Sequence, residues 1–285
     1  MATAIQEANF LKARQSRAFK FVIKIETMYN SFFTSYDRIY NFEELDFPTD
    51  GVTLDNSDAK RPFIIFNMVS SVDGKATTNK GELGSLGSRP DRLLMKRLRS
   101  QVDAVVVGGQ TLRQDLFIPT VPTDLAAERQ KNFPKPQPLG IVITNSGDLP
   151  QEHRFWEAGK EWRMVITGED TKIAPWLEDK AQIVRFPTVE SQIDLKEVLQ
   201  DLLKKFDVKR LLVEGGAALN YTLISQGYAD ELFLSFAPYI VGGLDNMSIV
   251  AGKGYGLGEG DLAKLKLRSL YHHDSELFLR YQFQQ

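Results

Sequence analysis

The sequence contains no cysteine among its 285 residues. This absence excludes disulfide bonds, thiolate nucleophiles and the zinc or iron–sulfur sites that depend on cysteine. Histidine is scarce as well, with only His153, His272 and His273. Because no two of them have the HExxH spacing, we expect neither a histidine-rich metal centre nor a Ser-His-Asp hydrolase. Any chemistry must proceed without the residues that most often supply acid–base catalysis and metal binding.

Long apolar runs and a strong charge of either sign are also missing. No stretch reaches the ~18 apolar residues of a membrane-spanning helix. The formal net charge of −2 gives the chain no electrostatic reason to bind nucleic acid or anionic lipid. The content of 42% hydrophobic and 25% charged residues is typical of a globular protein and excludes disordered, collagen-like and coiled-coil chains. We therefore predict a cytoplasmic protein with no nucleic-acid or membrane partner.

The apolar pattern divides the chain near residue 60. Residues 1–60 are weakly patterned and are predicted to form an N-terminal arm, whereas residues 61–285 are predicted to form one domain. In the second part strands alternate with helices, a proline-rich loop covers 118–138, and strand patterns alone end the chain. This order predicts an α/β fold with a mostly parallel sheet flanked by helices and with antiparallel C-terminal strands. The predicted strands are 63–69, 103–108, 139–144, 163–167, 182–186, 209–214, 231–236, 264–272 and 276–283, and the predicted helices begin after Ser88 and span 194–206 and 217–226.

Two pairs of glycines follow predicted strands. Gly215 and Gly216 come after the apolar run LLVE and lead straight into a helix, and Gly108 and Gly109 follow the run AVVV. Glycine lets the backbone approach a ligand closely, and a helix N-terminus offers free N–H groups with a partial positive charge. The pattern indicates a cradle for a phosphate or pyrophosphate. A plain tight turn is the alternative, because the GxGxxG pattern is absent.

Three charged residues are candidates for ligand contacts. Glu214 ends a buried strand, at the edge where open α/β sheets bind their ligands, but it could equally be a surface or helix-capping residue. Arg99 shares a basic helix face with Arg92 and Lys96, so it either meets an anionic ligand or belongs to a solvated face. Asp73 lies in a turn after the first strand, which could simply be a loop.

Several motifs together are similar to those of a known family. Residues 63–115 contain an S-x-D-G-K turn, an L-R-x-x-x-D-A segment and a G-x-x-T-x-x-x-D segment, and residues 211–243 contain E-G-G-x-x-L, D-E-L and A-P-x-x-x-G-G. This set resembles the reductase domain of riboflavin biosynthesis, a dihydrofolate-reductase-like fold found in 5-amino-6-(5-phosphoribosylamino)uracil reductase. Since the chain lacks the zinc motif of the pathway's deaminase, it resembles a stand-alone reductase.

The resemblance implies an activity and a set of site residues. The implied reaction is the NADPH-dependent reduction of a phosphoribosylamino-pyrimidine to its ribitylamino form, by a homodimer and without a metal. Asp115 and Glu214 are the implied catalytic residues, with water as a third source of the proton. The implied cofactor contacts are Thr111, Asp115, Asn145, Gly215, Gly216, Ala217, Ala218, Leu219 and Asn220. The implied substrate contacts are Asn67, Asp73, Arg99 and Glu214.

One segment departs from the family. Residues 115–122 replace a D-[DN]-P-x-L-T-x-R segment, so the arginine expected to hold the substrate phosphate is missing there. Two further hypotheses therefore stay open: a reductase of the same fold acting on another pteridine-like or carbonyl substrate, and a non-catalytic nucleotide-binding module. Arg113 and Lys172 are candidates to recognise the 2′-phosphate that distinguishes NADPH from NADH.

Overall fold

The structure, a computed structural model, describes residues 34–35, 60–77, 86–256 and 262–284. Apart from residues 34–35 and Lys60, the predicted N-terminal arm lies outside the described residues. Within these ranges, no helix combines the length and the apolar character needed to cross a bilayer.

Ten strands form one sheet, and two short strands form a separate hairpin. The strands of the sheet are β1 (Thr34–Ser35), β2 (Phe63–Ser71), β3 (Ala104–Gly108), β4 (Leu139–Ile143), β5 (Arg163–Gly168), β6 (Gln182–Phe186), β9 (Arg210–Val213), β10 (Glu231–Ala237), β11 (Lys264–His273) and β12 (Glu276–Gln284). The hairpin consists of β7 (Thr188–Val189) and β8 (Gln192–Ile193). The helices are α1 (Arg89–Ser100), α2 (Gly109–Gln114), α3 (Thr123–Arg129), α4 (Trp176–Lys180), α5 (Leu195–Lys204) and α6 (Ala217–Ser225), with 3-10 turns at Arg154–Glu157 and Lys160–Trp162.

The order of strands in the sheet is β1-β11-β12-β10-β2-β9-β3-β4-β5-β6. Every neighbouring pair is parallel except the two pairs that contain β12. This confirms the predicted α/β fold with a mostly parallel sheet. The prediction grouped β10 with the antiparallel C-terminal strands. This is right on the side where β10 pairs with β12, but on its other side β10 is parallel to β2. The reason is the connection through α6, because a helical crossover brings the chain back in the same direction.

The core lies on both faces of the sheet. Along β2, Ile64 and Phe66 belong to one buried cluster and Ile65 to the other, as the alternation of side chains along a strand requires. Leu98 of α1 packs in the cluster of Ile65, and Val198 of α5 packs in that of Ile64. Helices therefore cover both faces, which explains why the central strands are uninterrupted apolar runs.

The aromatic residues of β12 contribute to this core. Phe278 is fully buried, and Tyr281 and Phe283 are partly buried against the core clusters. From the sequence, these three residues could belong either to a subunit interface or to ordinary core packing. Their packing in the structure favours the second interpretation.

The prediction of a loop over 118–138 was wrong in part, because α3 lies inside it. Pro122 stands at the N-cap of this helix, where a missing N–H costs nothing. Arg129 at its end is buried and donates to the carbonyl oxygens of Ser100 and Lys135, at 3.1 and 2.9 Å. Burial lowers the pKa of Arg129 to about 10. The helix thus depends on contacts with distant backbone, which a proline-rich local sequence does not reveal.

Candidate active site

A large cavity opens where β2, β9, β3 and β4 end, at the edge of the sheet where parallel α/β proteins bind ligands. Its volume is about 1030 Å³, at the upper limit of the roughly 300–1,000 Å³ typical of small-molecule sites. The cavity extends from α1 on one side to the β7–β8 hairpin on the other. It is therefore large enough for a dinucleotide together with part of a second ligand.

The two glycine pairs meet in the wall of this cavity. The amide N–H of Gly108 donates to the carbonyl oxygen of Gly215 at 3.0 Å. A Cβ atom on Gly216 would lie 2.9 Å from Thr111 Oγ1, which is closer than side chains normally approach. Gly215 has a φ of +101°, a conformation that glycine adopts without strain. The predicted crevice between the two strand–glycine junctions is therefore present.

The N-terminus of α6 faces the same space. Gly216 is its N-cap, no side chain caps the helix, and Ala217, Ala218 and Leu219 line the cavity. The first N–H groups of a helix have no partner within it and carry a partial positive charge. Because these groups suit a diphosphate, the residues present fit a dinucleotide cofactor. We call Gly108, Gly109, Gly215, Gly216 and the first turn of α6 the glycine cradle.

Asn220 supports this cradle from behind and is not among the residues that line the cavity. Its side chain is buried, and its Nδ2 donates to the carbonyl oxygen of Ile249 at 2.7 Å. The amide of Ala251 also donates to the carbonyl oxygen of Ala217, at 3.1 Å. Asn220, a predicted cofactor contact, therefore joins the start of α6 to the loop of residues 246–251 and does not face the cavity.

The 246–251 loop is fixed at its other side to the chain that follows β2. The amide of Ala76 donates to the carbonyl oxygen of Met247 at 2.8 Å, and the amide of Met247 donates to Thr77 Oγ1 at 3.0 Å. Lys75 and Ser248 form an isolated antiparallel bridge. The loop therefore connects the glycine cradle with the end of β2.

Arg99 and Glu214 form a buried ion pair beside the cradle. Arg99 Nε and Nη2 donate to the two carboxylate oxygens of Glu214 at 2.8 and 2.6 Å, and each side chain is only 8% exposed. Arg99 Nη1 donates to the carbonyl oxygen of Ile118 at 2.8 Å. Both residues line the cavity, so Arg99 does not belong to a solvated face and Glu214 is not a surface residue. Arg92 and Lys96 of the same helix are exposed.

Asp115 and Thr111 lie at the border between the cradle and this ion pair, and both line the cavity. Burial raises the pKa of the Asp115 carboxyl, and the nearby charge of Glu214 raises it further, although the amide of Leu116 donates to it. His153 Nε2 lies 2.9 Å from the carbonyl oxygen of Asp115. This contact was not predicted, because His153 is distant in the chain and belongs to no recognisable motif.

Asn145 lines the cavity on the far side of the cradle. Its Nδ2 donates to Gln192 Oε1 at 2.7 Å, and its Oδ1 accepts from the amide of Ile193 at 3.3 Å. The predicted cofactor contact therefore also anchors the β7–β8 hairpin. That hairpin was missed in the sequence, because its turn places two non-glycine residues, Glu190 and Ser191, at positive φ.

Asn67 and Asp91 complete the side of the cavity next to α1. Asn67, a predicted substrate contact, is 9% exposed, and its Oδ1 has no hydrogen-bond partner in the described part of the chain. Asp91 was not singled out from the sequence, since an acidic residue in the first turn of a helix is ordinary. We call Asn67, Asp91, Arg99 and Glu214 the charged wall.

Asp73 is not brought to the cavity. Its carboxylate accepts from Ser71 Oγ at 2.6 Å and from the amides of Val241 and Gly242 at 3.0 and 2.7 Å. These hydrogen bonds lower its pKa to about 2, with the Ser71 contribution the largest. The structure thus gives Asp73 the position of a loop organiser instead of a cavity-lining contact.

The remaining predictions concern the 2′-phosphate and metals. Arg113 lines the cavity, whereas Lys172 does not. In residues 60–77, 86–256 and 262–284, no group of three or more metal-binding side chains comes together.

Comparisons with known proteins identify similar sequences and folds. The sequence pattern of the RibD C-terminal domain matches residues 62–279. The 2,5-diamino-6-ribosylamino-4(3H)-pyrimidinone 5′-phosphate reductase of Archaeoglobus fulgidus is 30% identical over 201 residues, which are 68% of this chain and 89% of that protein. A pyrimidine reductase-like protein from Corynebacterium diphtheriae has a similar fold, with a TM-score of 0.69 at 21% identity over 86% of this chain and 100% of that one. RibD from Acinetobacter baumannii superposes with a TM-score of 0.66 at 21% identity, covering 79% of this chain but only 59% of that longer one.

Proposed function

The chain belongs to the RibD C-terminal domain family, and on that basis we propose that it is the NADPH-dependent pyrimidine reductase of riboflavin biosynthesis. Its substrate is a phosphoribosylamino-pyrimidine, and its product is the ribitylamino form. The observation that carries this proposal is the juxtaposition of the glycine cradle with the buried Arg99–Glu214 pair in one cavity. The cradle suits a diphosphate, and the ion pair lies where a polar second ligand would meet the reduced ring.

The glycine cradle positions the cofactor. Backbone N–H groups at the start of α6 would hold the diphosphate, with Thr111, whose Oγ1 is close to Gly216, next to it. Asn145 and the hairpin that it anchors would contact the adenosine part. When bound, the reduced nicotinamide supplies a hydride. The protein contributes orientation and a cavity from which bound ligands displace water.

The chemical step adds a hydride to the sugar carbon next to the amino nitrogen. The bond from this carbon to the ring oxygen breaks, and the ring oxygen takes up a proton. Asp115 is the better proton donor of the two implied catalytic residues, since burial raises its pKa and favours the protonated acid. Glu214 is held by two hydrogen bonds from Arg99. It therefore serves to orient the sugar hydroxyl groups.

Arg113 supports the choice of NADPH over NADH. It is the predicted 2′-phosphate contact that lines the cavity. Its guanidinium donates to Gln110 Oε1 and to the carbonyl oxygen of Asp148, the latter at 2.6 Å. Both partners are neutral, so the positive charge is available to an anion.

We also propose that the protein acts as a homodimer. The β12 aromatics are used in the core, as described above. Exposed apolar side chains occur instead on β11, where Leu265 and Leu267 are 40% and 43% exposed. Sedimentation analysis of the full chain tests this expectation.

The experiment that tests the function uses the purified full chain with NADPH or NADH and a phosphoribosylamino-pyrimidine. We expect oxidation of the cofactor and, by mass spectrometry, a product heavier by two hydrogen atoms. Fluorescence titration of both cofactors accompanies it. Binding without reduction would favour a same-fold reductase of another substrate, and the absence of binding would favour a non-catalytic module.

A further inference from the structure

Asp91 is a buried acid in the cavity wall to which the proposed reaction gives no role. The residue is 7% exposed and lines the cavity. None of the ion pairs among the described residues includes it. Burial raises the pKa of the Asp91 carboxyl, and two groups oppose this effect: first a hydrogen bond from the Ser235 side chain, then the charge of Arg92, which is exposed to solvent and lines the same cavity. A buried carboxyl group without a paired cation is costly unless something else donates hydrogen bonds to it.

Besides the Ser235 hydroxyl and the exposed Arg92, the neighbourhood of Asp91 offers a further acceptor that is free to bind a ligand. Asn67 Oδ1 is buried without a partner among the described residues, and Asn67 lines the same cavity. A Cβ atom on Gly87, another cavity residue, would lie 2.6 Å from Asp91 Oδ2. The carboxylate therefore packs directly against the backbone of Gly87, and a larger residue at position 87 would displace it. This corner of the cavity is suited to a ligand that presents several N–H groups.

Two ring chemistries are candidates for the substrate of the proposed function. The relative from Archaeoglobus fulgidus is named for a 2,5-diamino-4(3H)-pyrimidinone, and the family resemblance in the sequence is to a uracil reductase. In the first ring, the 2-amino group and N3–H are adjacent donors. In uracil, position 2 carries a carbonyl oxygen, which is an acceptor.

We propose that the Asp91 carboxylate accepts hydrogen bonds from the 2-amino group and N3–H of the pyrimidinone, so that the enzyme selects the 2-amino ring over uracil. This inference rests on the proposed function. Two adjacent N–H donors match the two oxygens of a carboxylate. With uracil, the carbonyl oxygen at position 2 would face a carboxylate oxygen, and no hydrogen bond could form between these two acceptors. Such a mismatch discriminates strongly in enzyme sites.

A purely structural role for Asp91 makes a different prediction. Asp91 lies in the first turn of α1, where an acid interacts favourably with the helix dipole. The cap itself is satisfied without its side chain, because Ser88 Oγ accepts from the backbone amide of Asp91 at 3.1 Å. A helix-stabilising acid would affect the free energy of unfolding but would leave the preference between the two rings unchanged.

The test is Asp91→Asn, compared with the wild type on both substrates. An amide can accept from N3–H and donate to the carbonyl oxygen at position 2, so this variant suits uracil. We expect kcat/KM for the 2-amino substrate to fall about 100-fold, as for loss of a hydrogen bond to a charged group. We expect kcat/KM for the uracil substrate to stay the same or rise. Calorimetric binding of the two ribitylamino products gives a second reading that does not depend on turnover.

The matched control is Asp103→Asn. Asp103 is a half-buried acid, and it accepts from the amides of Lys209 and Arg210 at 2.9 and 2.8 Å, away from the cavity. The Asp103→Asn variant should lower the free energy of unfolding without changing the ratio of kcat/KM for the two substrates.

The outcomes separate the two proposals. An unchanged ratio in Asp91→Asn, or a wild type that prefers uracil, overturns the role of Asp91 while leaving the reductase function intact. A wild type that reduces neither ring overturns the proposed function, and the inference on Asp91 fails with it.

Discussion

The glycine cradle and the charged wall lie side by side in one cavity, but the first is made of backbone and the second of side chains. The cradle is made of backbone, with small residues that let main-chain N–H groups reach a ligand. The charged wall is made of side chains that hold charge in a buried setting, above all the Arg99–Glu214 pair. Backbone donors recognise what all dinucleotides share, whereas placed side chains recognise one particular ring and sugar. A change of substrate within this fold should therefore appear in the wall and leave the cradle intact.

The largest effect on the charged wall, with little effect on the cradle, is expected from Glu214→Gln. This change leaves Arg99 buried without its counter-charge, which costs about 3–5 kcal/mol in the free energy of unfolding. We expect kcat/KM for the pyrimidine to fall by about 10²–10³-fold, while the Kd of the cofactor changes little. Steady-state kinetics, urea denaturation and fluorescence titration measure the three quantities.

The double variant Arg99→Met with Glu214→Leu is the control for that experiment. Replacing a buried ion pair with apolar residues is often neutral for stability, so the double variant should regain stability without regaining activity. If Glu214→Gln weakens cofactor binding more than it lowers turnover, Glu214 belongs to the cofactor side of the cavity, and its assignment to the charged wall is wrong.

Asp115 lies between the cradle and the charged wall, and the pH dependence of turnover tests its role as the proton donor. Burial raises its pKa, so the protonated donor persists to higher pH than in an ordinary aspartate. Turnover should fall as the pH rises through the pKa of Asp115. Asp115→Asn should lose this limb of the pH profile and turn over about 100-fold more slowly, a typical loss for a general acid. The exposed Asp148→Asn should keep the wild-type profile, and an identical profile in Asp115→Asn would assign the proton to water.

The smallest expected effect concerns the cradle. In Gly216→Ala the new Cβ atom would lie 2.9 Å from Thr111 Oγ1, whereas in Gly108→Ala it would lie 3.5 Å from the nearest atom, the backbone nitrogen of Gly216. We expect about a tenfold increase in cofactor Kd, or about 1.4 kcal/mol, for the first variant and little change for the second. Equal effects in the two variants would mean that contact with Thr111 does not shape the cradle.

The difference between the backbone cradle and the side-chain wall also explains which features could be predicted from the sequence. The strand β9, the glycine pair and the start of α6 were predicted within one residue, because an apolar run followed by two glycines is a local signal. The pairing of Arg99 with Glu214 joins residues 115 positions apart, and the family resemblance named both without revealing their contact. Asp91 was missed because burial, and not residue type, makes it unusual. The β7–β8 hairpin was missed because Glu190 and Ser191 adopt a backbone conformation that favours glycine.

The 246–251 loop is bonded on one side to the start of α6 and on the other to residues 76 and 77 after β2. A ligand that restrains the start of α6 would also restrain residues 76 and 77 through this loop, so a second ligand in the same cavity would have less of the chain to order. We therefore expect cofactor and pyrimidine to bind cooperatively. Thermodynamic linkage requires that each ligand tightens the binding of the other by the same factor, so the pyrimidine should bind more tightly once the coenzyme is in place.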